Sequence, residues 1–295
     1  MLDENGRAAV LMVACMAAFT INDTFMKLLG DDVPLFQAIF LRGLAITILL
    51  LLIARRMGLL RVRIARGDGW KLGLRTVAEA GGAVLFLSAL FNMPLANATA
   101  IIQLAPLTVT LGAALFLAEP VGWRRMLAII AGFGGVLLIV QPGTDGFDGW
   151  AVLAVLSVLF FTLRELVTRR MSGGISSVMV ATVGAAGVTV VGGIGALAGP
   201  WVALPPTAWL WLAGAVLSVG AAYLLSVMAV RIGDMGFVAP FRYAGLLWAL
   251  ILGWLVFGDW PDAITLIGAV IVVGAGLFTF ARERRLARAT VPPGP

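Results

Sequence analysis

Apolar residues gather into ten long runs, separated by short stretches that contain proline, glycine, aspartate or arginine. Because a helix rises about 1.5 Å per residue, about 20 mostly apolar residues are enough to cross the hydrocarbon core of a bilayer. The breaks, such as Asp31-Asp32-Val33-Pro34 and Pro205-Pro206, favour helix ends. The pattern predicts ten transmembrane helices, over residues 8–28, 34–54, 70–91, 97–118, 125–141, 150–170, 176–197, 207–230, 236–257 and 262–281.

The composition supports an all-α integral membrane protein. Of the 295 residues, 61% are hydrophobic and only 12% are charged, with a mean hydropathy of +1.04. Soluble domains carry about 25% charged residues. The net charge of +6 does not indicate a nucleic-acid partner, because the basic residues lie in short loops and form no basic face.

The sequence offers little material for catalysis or for a bound cofactor. It contains no histidine, one cysteine (Cys15), no phosphate-binding glycine loop with a lysine and no metal-ligand cluster. We therefore expect no enzyme activity and no cofactor. The first apolar run could be mistaken for a signal peptide, but it is long and contains Asn22, Asp23 and Lys27, so we interpret it as a retained span.

The loops alternate between basic and acidic. The acidic set carries Asp31, Asp32, Asp145, Asp148, Asp259 and Asp262, with Lys27 as its only basic neighbour. Positive residues favour the cytoplasmic side, so both termini are predicted to be cytoplasmic. The basic set carries Arg55, Arg56, Arg61, Arg63, Arg66, Lys71, Arg124, Arg125, Arg169, Arg170 and Arg231, joined by Arg282, Arg284, Arg285 and Arg288 of the tail.

The two halves of the chain repeat each other. Leu115–Glu119 reads LFLAE and Leu255–Asp259 reads LVFGD, at an offset of 140 residues. At an offset of 142, the segment 19–23 matches 161–165. Five spans per half is an odd number, so the second half is predicted to be inverted, a frequent arrangement in secondary transporters. The predicted organisation is a repeat over 1–141, an inverted repeat over 150–281 and a basic cytoplasmic tail over 282–295.

These segments resemble the drug/metabolite transporter superfamily, in its ten-span EamA branch. The resemblance is carried by Phe116-Leu117-Ala118-Glu119-Pro120 and Phe257-Gly258-Asp259-Trp260-Pro261, each followed by a glycine-rich apolar helix, and by Ala239–Tyr243 with Leu247–Ala249. It implies two inverted five-helix bundles that move small organic solutes without ATP, and it does not determine the substrate. Glu119 and Asp259 resemble family fold markers at helix ends.

Six charged residues are predicted to lie inside the membrane: Asp23, Arg42, Glu79, Arg164, Glu165 and Arg242. Arg75 is discounted, because it lies one turn from the cytoplasmic face and can extend towards it. A charge at the centre of a span costs about 2.5–3.5 kcal/mol on the most lenient scale. Arginine cannot be deprotonated in a protein, so each buried arginine requires a partner.

Arg42 and Arg242 have two possible roles. They either hold a carboxylate or phosphate of a substrate through paired hydrogen bonds, or pair with Asp23, Glu79 or Glu165 within the bundle. Under the first hypothesis Gln103, Tyr243 and Asn97 orient the substrate, and Trp248 is a candidate for the cavity wall. The three carboxylates either couple transport to protons or form static ion pairs. Pro106 and Pro240 are candidate sites of helix kinks.

The sequence therefore predicts a secondary active transporter of the bacterial inner membrane. Its substrate is expected to be a small anionic or zwitterionic metabolite, amino-acid-like, carried by alternating access. One alternative is an exporter of organic cations or amphiphilic drugs that uses the carboxylates; another is a non-transporting membrane scaffold or lipid enzyme. Expected partners are the substrate, the lipid bilayer and, as a candidate coupling ion, the proton, with the protein a monomer or homodimer.

Overall fold

Ten helical segments that are long and apolar enough to cross a membrane make up the computed structural model. The structure describes residues 4–58, 67–119, 121–143, 149–172, 175–233 and 235–289, and these contain no β-strand. The helices are α1 (Glu4–Gly30), α2 (Leu35–Arg56), α3 (Asp68–Asn92), α4 (Leu95–Ile102), α5 (Ala105–Leu117), α6 (Trp123–Val140), α7 (Gly149–Arg169), α8 (Ser177–Ala198), α9 (Pro206–Ile232), α10 (Met235–Val238), α11 (Ala244–Leu252) and α12 (Ala263–Ala289).

The ten spans match the sequence prediction closely, and the protein is an all-α membrane protein with ten spanning helices. Among the starts of the spans the largest difference is in the first, residue 8 against Glu4. Among the ends it is in the last, where α12 continues to Ala289, eight residues beyond the predicted end at 281. Some predictions lie outside the described part of the chain: Pro120 of the repeat motif, the loop residues Arg61, Arg63, Arg66, Asp145 and Asp148, and the side chains of Arg284, Arg285 and Arg288.

The fourth and ninth spans are interrupted. In the fourth, α4 and α5 are separated at Gln103 and Leu104, and Pro106 lies in the first turn of α5. In the ninth, a 3-10 segment over Ala239–Tyr243, which contains Pro240, precedes α11, and a π-helical turn over Gly253–Phe257 follows it. Proline has no N–H to donate, so the helix is weakest at these places. The candidate kinks at both prolines are thus confirmed as interruptions.

The helices form two compact units, and each unit draws segments from both halves of the sequence. Unit I consists of the described residues within Met1–Thr20, Pro94–Asp148 and Ala221–Pro295, and unit II of those within Ile21–Met93 and Gly149–Gly220. In unit I, α12 packs along α6 and α4 packs against α11; in unit II, α3 packs between α7 and α8, and α8 also packs along α2.

Close packing in unit I depends on glycine. A methyl group added to Gly135 of α6 would lie 2.7 Å from the carbonyl oxygen of Gly268, and one added to Gly268 of α12 would lie 2.5 Å from that of Gly135. The two backbones therefore meet without a side chain between them. Small residues allow such approaches in membranes, where van der Waals packing replaces the hydrophobic effect as the force between helices.

The fourth and ninth spans end in the same way, at positions 140 residues apart. Ala118 has φ +55° and Gly258 has φ +71°, so both helices end on a left-handed residue. The backbone amide of the following residue then donates to the carbonyl oxygen six residues earlier, from Glu119 to Ala113 (3.3 Å) and from Asp259 to Gly253 (3.1 Å). The same carbonyl oxygens also accept from the amides of Ala118 and Gly258, so each is shared by two amides at the helix end. The shared geometry supports the internal repeat and a role for the two acidic positions at helix ends.

The equivalent helix ends allow a matched pair of substitutions. Ala118→Gly should increase the free energy of unfolding by about 1 kcal/mol, because glycine adopts the left-handed conformation without the Cβ penalty. Gly258→Ala should decrease it by about the same amount for the reverse reason. Thermal unfolding in detergent measures both; shifts of the same sign would contradict the equivalence of the two ends.

Asp262 caps the start of α12. Its Oδ1 accepts from the Thr265 amide at 2.6 Å, and its Oδ2 accepts from Gln141 Nε2 at 2.9 Å. The bond from Gln141, followed by that from Thr265, lowers the pKa of Asp262. A lowered pKa means that the stabilisation is complete above the unfolded carboxyl pKa, near 3.9, and is lost as pH falls through the folded pKa.

The stability of Asp262→Asn should therefore depend on pH differently from that of the wild type. We expect the melting temperature of the variant to lie below that of the wild type at neutral pH, and the difference to begin to shrink near about pH 4 and to vanish only below the folded pKa of Asp262. Melting curves of both proteins across this range measure the effect. A difference that is the same at every pH would show that the carboxylate charge contributes nothing.

Candidate functional site

Arg42 and Asp23 are joined in unit II through a buried amide. Arg42 of α2 donates from Nε to Asn22 Oδ1 at 3.1 Å, and Asn22 Nδ2 donates to Asp23 Oδ1 at 2.8 Å. Asn22 is 2% exposed, whereas Arg42 and Asp23 are half-buried. The amide can serve both neighbours because it carries a donor and an acceptor. The structure thus brings together two of the predicted site residues, Arg42 and Asp23, and shows that Asn22, which the sequence did not single out as a site residue, bridges them.

Glu79 of α3 lies between two arginines. Its Oε2 accepts from Arg75 Nη1 at 2.6 Å, and its Oε1 lies 3.6 Å from Arg164 Nη1 on α7. Arg75 is 9% exposed and also donates to Thr168 Oγ1 and to the Val180 carbonyl oxygen. The prediction that Arg75 extends to the membrane surface was therefore wrong. Its acceptor lies one turn further along α3, so the side chain is drawn into the bundle.

This cluster continues as a line of polar contacts to the end of α3. Lys71 Nζ donates to Asp68 Oδ1 at 3.0 Å and to the Arg170 carbonyl oxygen at 2.8 Å. Asp68 Oδ2 accepts from both the amide and the hydroxyl of Ser172. The α3 positions 68, 71, 75 and 79 recur every three or four residues, so they share one helix face. That face meets the end of α7 and the residues that follow it.

Space for the Arg75–Glu79 pair is provided by Gly184 of α8. A methyl group at this position would overlap Glu79 Oε2 and would lie 2.9 Å from Arg75 Nη1. Gly184 is itself buried. The pair is consequently enclosed by three helices, α3, α7 and α8, and desolvation makes the quality of its hydrogen bonds important.

Unit I holds the other predicted site residues. Gln103 Nε2, at the interruption of the fourth span, donates to the Arg242 carbonyl oxygen at 3.3 Å, at the interruption of the ninth. Each interruption is thus in contact with the other. The guanidinium of Arg242 is exposed and makes no hydrogen bond or ion pair with any other residue that the structure describes.

Three further predicted residues lie at separate places in unit I. Tyr243 is 5% exposed, and its hydroxyl lies against Gly276 without a hydrogen-bond partner in the described structure. Asn97 of α4 has an Oδ1 that is likewise buried and unpartnered among the described residues. Trp248 of α11 donates from Nε1 to the Val13 carbonyl oxygen at 3.2 Å.

Trp248 also lines an apolar groove of about 300 Å³, formed by α1 and the ninth span. The lining is entirely apolar: Ala9, Val10, Val13, Ala14, Phe241 and Trp248. This groove can accept hydrocarbon or an aromatic ring, but it offers no charge to select a polar solute.

Lys27 is the one basic residue beside the acidic loops, and its contacts account for it. It donates to the carbonyl oxygens of Leu90 and Met93 at the end of α3, where a cation is favoured.

Glu165 of α7 is half-buried and has no hydrogen bond or ion pair with another described residue. Its predicted pairing with an arginine is thus not seen in this structure.

Ten spanning helices, two of them interrupted, and charged groups within the spans are typical of multi-pass solute transporters. Within that class, the chain belongs to the EamA-like transporter family, whose sequence model matches residues 6–141 and 148–281. This confirms the resemblance seen in the sequence. The protein is accordingly a membrane-embedded transporter of small molecules and not an enzyme.

Named relatives carry metabolites. A riboflavin transporter of Rhizobium johnstonii is 33% identical over 236 residues, which cover 79% of this chain and 77% of that protein. An S-adenosylmethionine uptake transporter of Rickettsia bellii is 28% identical over 275 residues, 92% of each chain. One solved crystal structure, at 19% identity, has a TM-score of 0.63 over 95% of this chain and 98% of that one, which shows a shared fold.

The enclosure of the Arg75–Glu79 pair can be tested with Gly184→Ala. The added methyl group should displace the Glu79 carboxylate and lower the free energy of unfolding by about 1–3 kcal/mol, as in other overpacked sites. Gly73→Ala, on α3 with open space around the added atom, is the control and should leave stability unchanged or raise it slightly. Equal melting temperatures for Gly184→Ala and the wild type would refute the enclosure.

Proposed function

We propose that the protein is a secondary active transporter of a small zwitterionic or anionic metabolite, amino-acid-like in its charged part. The chain of hydrogen bonds from Arg42 through Asn22 to Asp23 carries this proposal. It holds opposite charges in fixed positions inside the membrane, and both charged side chains are half-buried. An α-carboxylate can bind to the guanidinium while an α-ammonium binds to the Asp23 carboxylate.

The relatives support a metabolite of this size and chemistry. Riboflavin and S-adenosylmethionine, the solutes in the names of two relatives, are both heterocyclic metabolites. S-adenosylmethionine also carries an α-amino and an α-carboxyl group, which is the charge pattern that Arg42 and Asp23 would complement. We therefore assign the substrate to the amino-acid-like part of this range.

In unit I, we retain Arg242, Gln103 and Asn97 as candidate substrate-contacting residues. The Arg242 guanidinium and the Asn97 carbonyl oxygen both have unused hydrogen-bonding capacity among the described residues. Tyr243 and Trp248 lie in apolar surroundings, against Gly276 and in the groove, and would contribute shape and not charge.

We further propose that transport follows alternating access, with inverted repeats over 1–141 and 150–281. Both termini would be cytoplasmic in the bacterial inner membrane. The alternation of basic and acidic loops supports the orientation, and the matching helix ends at Ala118 and Gly258 support the repeat. We assign Glu79 to a static ion-pair role, which leaves Asp23 and Glu165 as candidates for coupling to protons.

A second function, export of organic cations, is favoured by one observation. Glu165 is a carboxylate within a span that has no ionic partner among the described residues, and such a group could serve as counter-charge for a cation. Under this alternative, Arg42 would only hold Asp23 and Asn22 in place.

Thermal stability of the detergent-purified protein distinguishes the two functions. Amino acids, S-adenosylmethionine, organic acids and organic cations are tested against the wild type, Arg42→Ala and Glu165→Gln. A ligand specific for the folded state raises stability by about 2.7 kcal/mol at one hundred times its dissociation constant. We expect stabilisation by a zwitterion or anion that disappears in Arg42→Ala and persists in Glu165→Gln. Stabilisation by cations that disappears only in Glu165→Gln would overturn the proposal in favour of the exporter.

A further inference from the structure

The two arginines that flank Glu79 are held very differently. Arg75 is hydrogen-bonded to the carboxylate at 2.6 Å and has two other acceptors, Thr168 and Val180. Arg164 lies 3.6 Å from the same carboxylate, beyond ordinary hydrogen-bond distance, and its guanidinium donates to no other described residue. Arg75 alone therefore satisfies Glu79, and the five N–H donors of Arg164 have no acceptor in the described structure.

Arg164 is directed into the membrane. Side chains on a helix lean towards its N-terminus, so Arg164 points away from the nearer end of α7 at Arg169. Its guanidinium lies beside Glu79, which is eleven residues (79 − 68) along α3 from Asp68, or about 16 Å. The side chain thus points towards the middle of the span. It does not extend to the membrane–water interface, where the charged groups of arginines in membrane helices usually lie.

The guanidinium has a fixed support. Its central carbon lies 5.1 Å from the centre of the Phe161 ring, one turn earlier on α7. Phe161 is held against α3, since a methyl group added to Gly82 would lie 2.7 Å from Phe161 Cε1. A guanidinium placed over an aromatic ring keeps its edge donors available for a planar anion.

The charges in this cluster do not balance. Arg75 and Arg164 contribute two positive charges and Glu79 one negative charge. Glu165, the next residue on α7, is half-buried but makes no ion pair with Arg164. Since two guanidinium groups share the single Glu79 carboxylate, the Arg75–Glu79–Arg164 group carries an excess positive charge inside a span, and binding of an anion there is favoured.

We infer that Arg164, supported by Phe161, is an anion-binding residue that takes a carboxylate or phosphate group. This inference deepens the proposed function, on which it rests, by adding a second cationic contact besides Arg42. The group that binds could belong to the transported metabolite or to an anionic lipid headgroup, because the two share the same chemistry. Arg75 keeps Glu79 neutralised in either case, so Arg164 can turn to the ligand without leaving a carboxylate unpaired.

Anion-dependent thermal stability of the full-length protein tests the inference. Sodium phosphate and sodium acetate are compared with sodium chloride at equal ionic strength, for the wild type, Arg164→Gln and the control Arg231→Gln, whose arginine is exposed at the end of α9. We expect the anion-dependent rise in melting temperature to be lost in Arg164→Gln and kept in the control, with an apparent anion affinity at least about tenfold weaker. Phosphate also stabilises folded proteins in general, but this effect is the same for the wild type and both variants, so it cancels when their melting temperatures are compared.

Basal stability separates ligand binding from a structural role. Without added anion, Arg164→Gln should melt close to the wild type, whereas Arg75→Gln should melt clearly lower because it leaves Glu79 without its hydrogen-bonded partner. A fall as large in Arg164→Gln as in Arg75→Gln, with the anion-dependent rise retained, would overturn the inference. So would the absence of any anion-dependent rise in the wild type.

Parallel measurements on Arg42→Ala distinguish failure of this inference from failure of the proposed function. Loss of metabolite binding in Arg42→Ala but not in Arg164→Gln, without any Arg164-dependent stabilisation by phosphate, acetate or phosphatidylglycerol, removes the inference alone. Loss of metabolite binding in Arg164→Gln but not in Arg42→Ala removes the role proposed for Arg42. Nanodiscs of phosphatidylcholine with and without phosphatidylglycerol identify the source of the anion. An Arg164-dependent stabilisation that appears only with phosphatidylglycerol assigns the position to a lipid headgroup, and one present in both assigns it to a soluble anion.

Discussion

A charge in hydrocarbon surroundings needs a partner that is already in place, and in unit II this need organises three helices around the Arg75–Glu79 pair. The pair requires Gly184 on α8 to leave space and Thr168 on α7 to accept a further hydrogen bond. Along the same face of α3, Lys71 and Asp68 join the residues after α7. The small residue, the hydroxyl and the carboxylates are therefore parts of one arrangement, and a change in any of them affects the others.

In unit I, the corresponding constraint comes from the backbone. Where the fourth and ninth spans are interrupted, peptide groups lose their helical partners in a region without water. Gln103 supplies one replacement by donating to the carbonyl oxygen of residue 242. At the ends of both spans, the backbone amides of Glu119 and Asp259 donate hydrogen bonds to the carbonyl oxygens six residues earlier. Some side chains that were candidates for substrate binding make structural hydrogen bonds of this kind. The Trp248 indole N–H, for example, donates to the Val13 carbonyl oxygen.

The sequence predicted the spans well because crossing a bilayer requires a length and an apolarity that can be read directly. It also located both interruptions, since proline cannot donate a hydrogen bond. The sequence was less successful in predicting which side chains contact each other. The position of Arg75, one turn from the nearest interface, predicts a side chain that extends to that interface, whereas the side chain binds the Glu79 carboxylate one turn deeper. Asn22 as a bridge and Gly184 as the source of space depend on which helices become neighbours, and no local pattern contains that information. The i, i+4 spacing of Arg75 and Glu79 was the one signal that could have revealed the pair.

The interleaved composition of the two units has a consequence for synthesis and membrane insertion. Unit I combines Met1–Thr20 with segments that begin at Ala221, and unit II combines Ile21–Met93 with segments that begin at Gly149. A ribosome has therefore made more than two thirds of the chain before unit I has all of its pieces. The acceptor for Gln103 emerges 139 residues after it. The early helices are therefore made before the residues that complete their packing and hydrogen bonds. The order of translation thus affects how this transporter assembles.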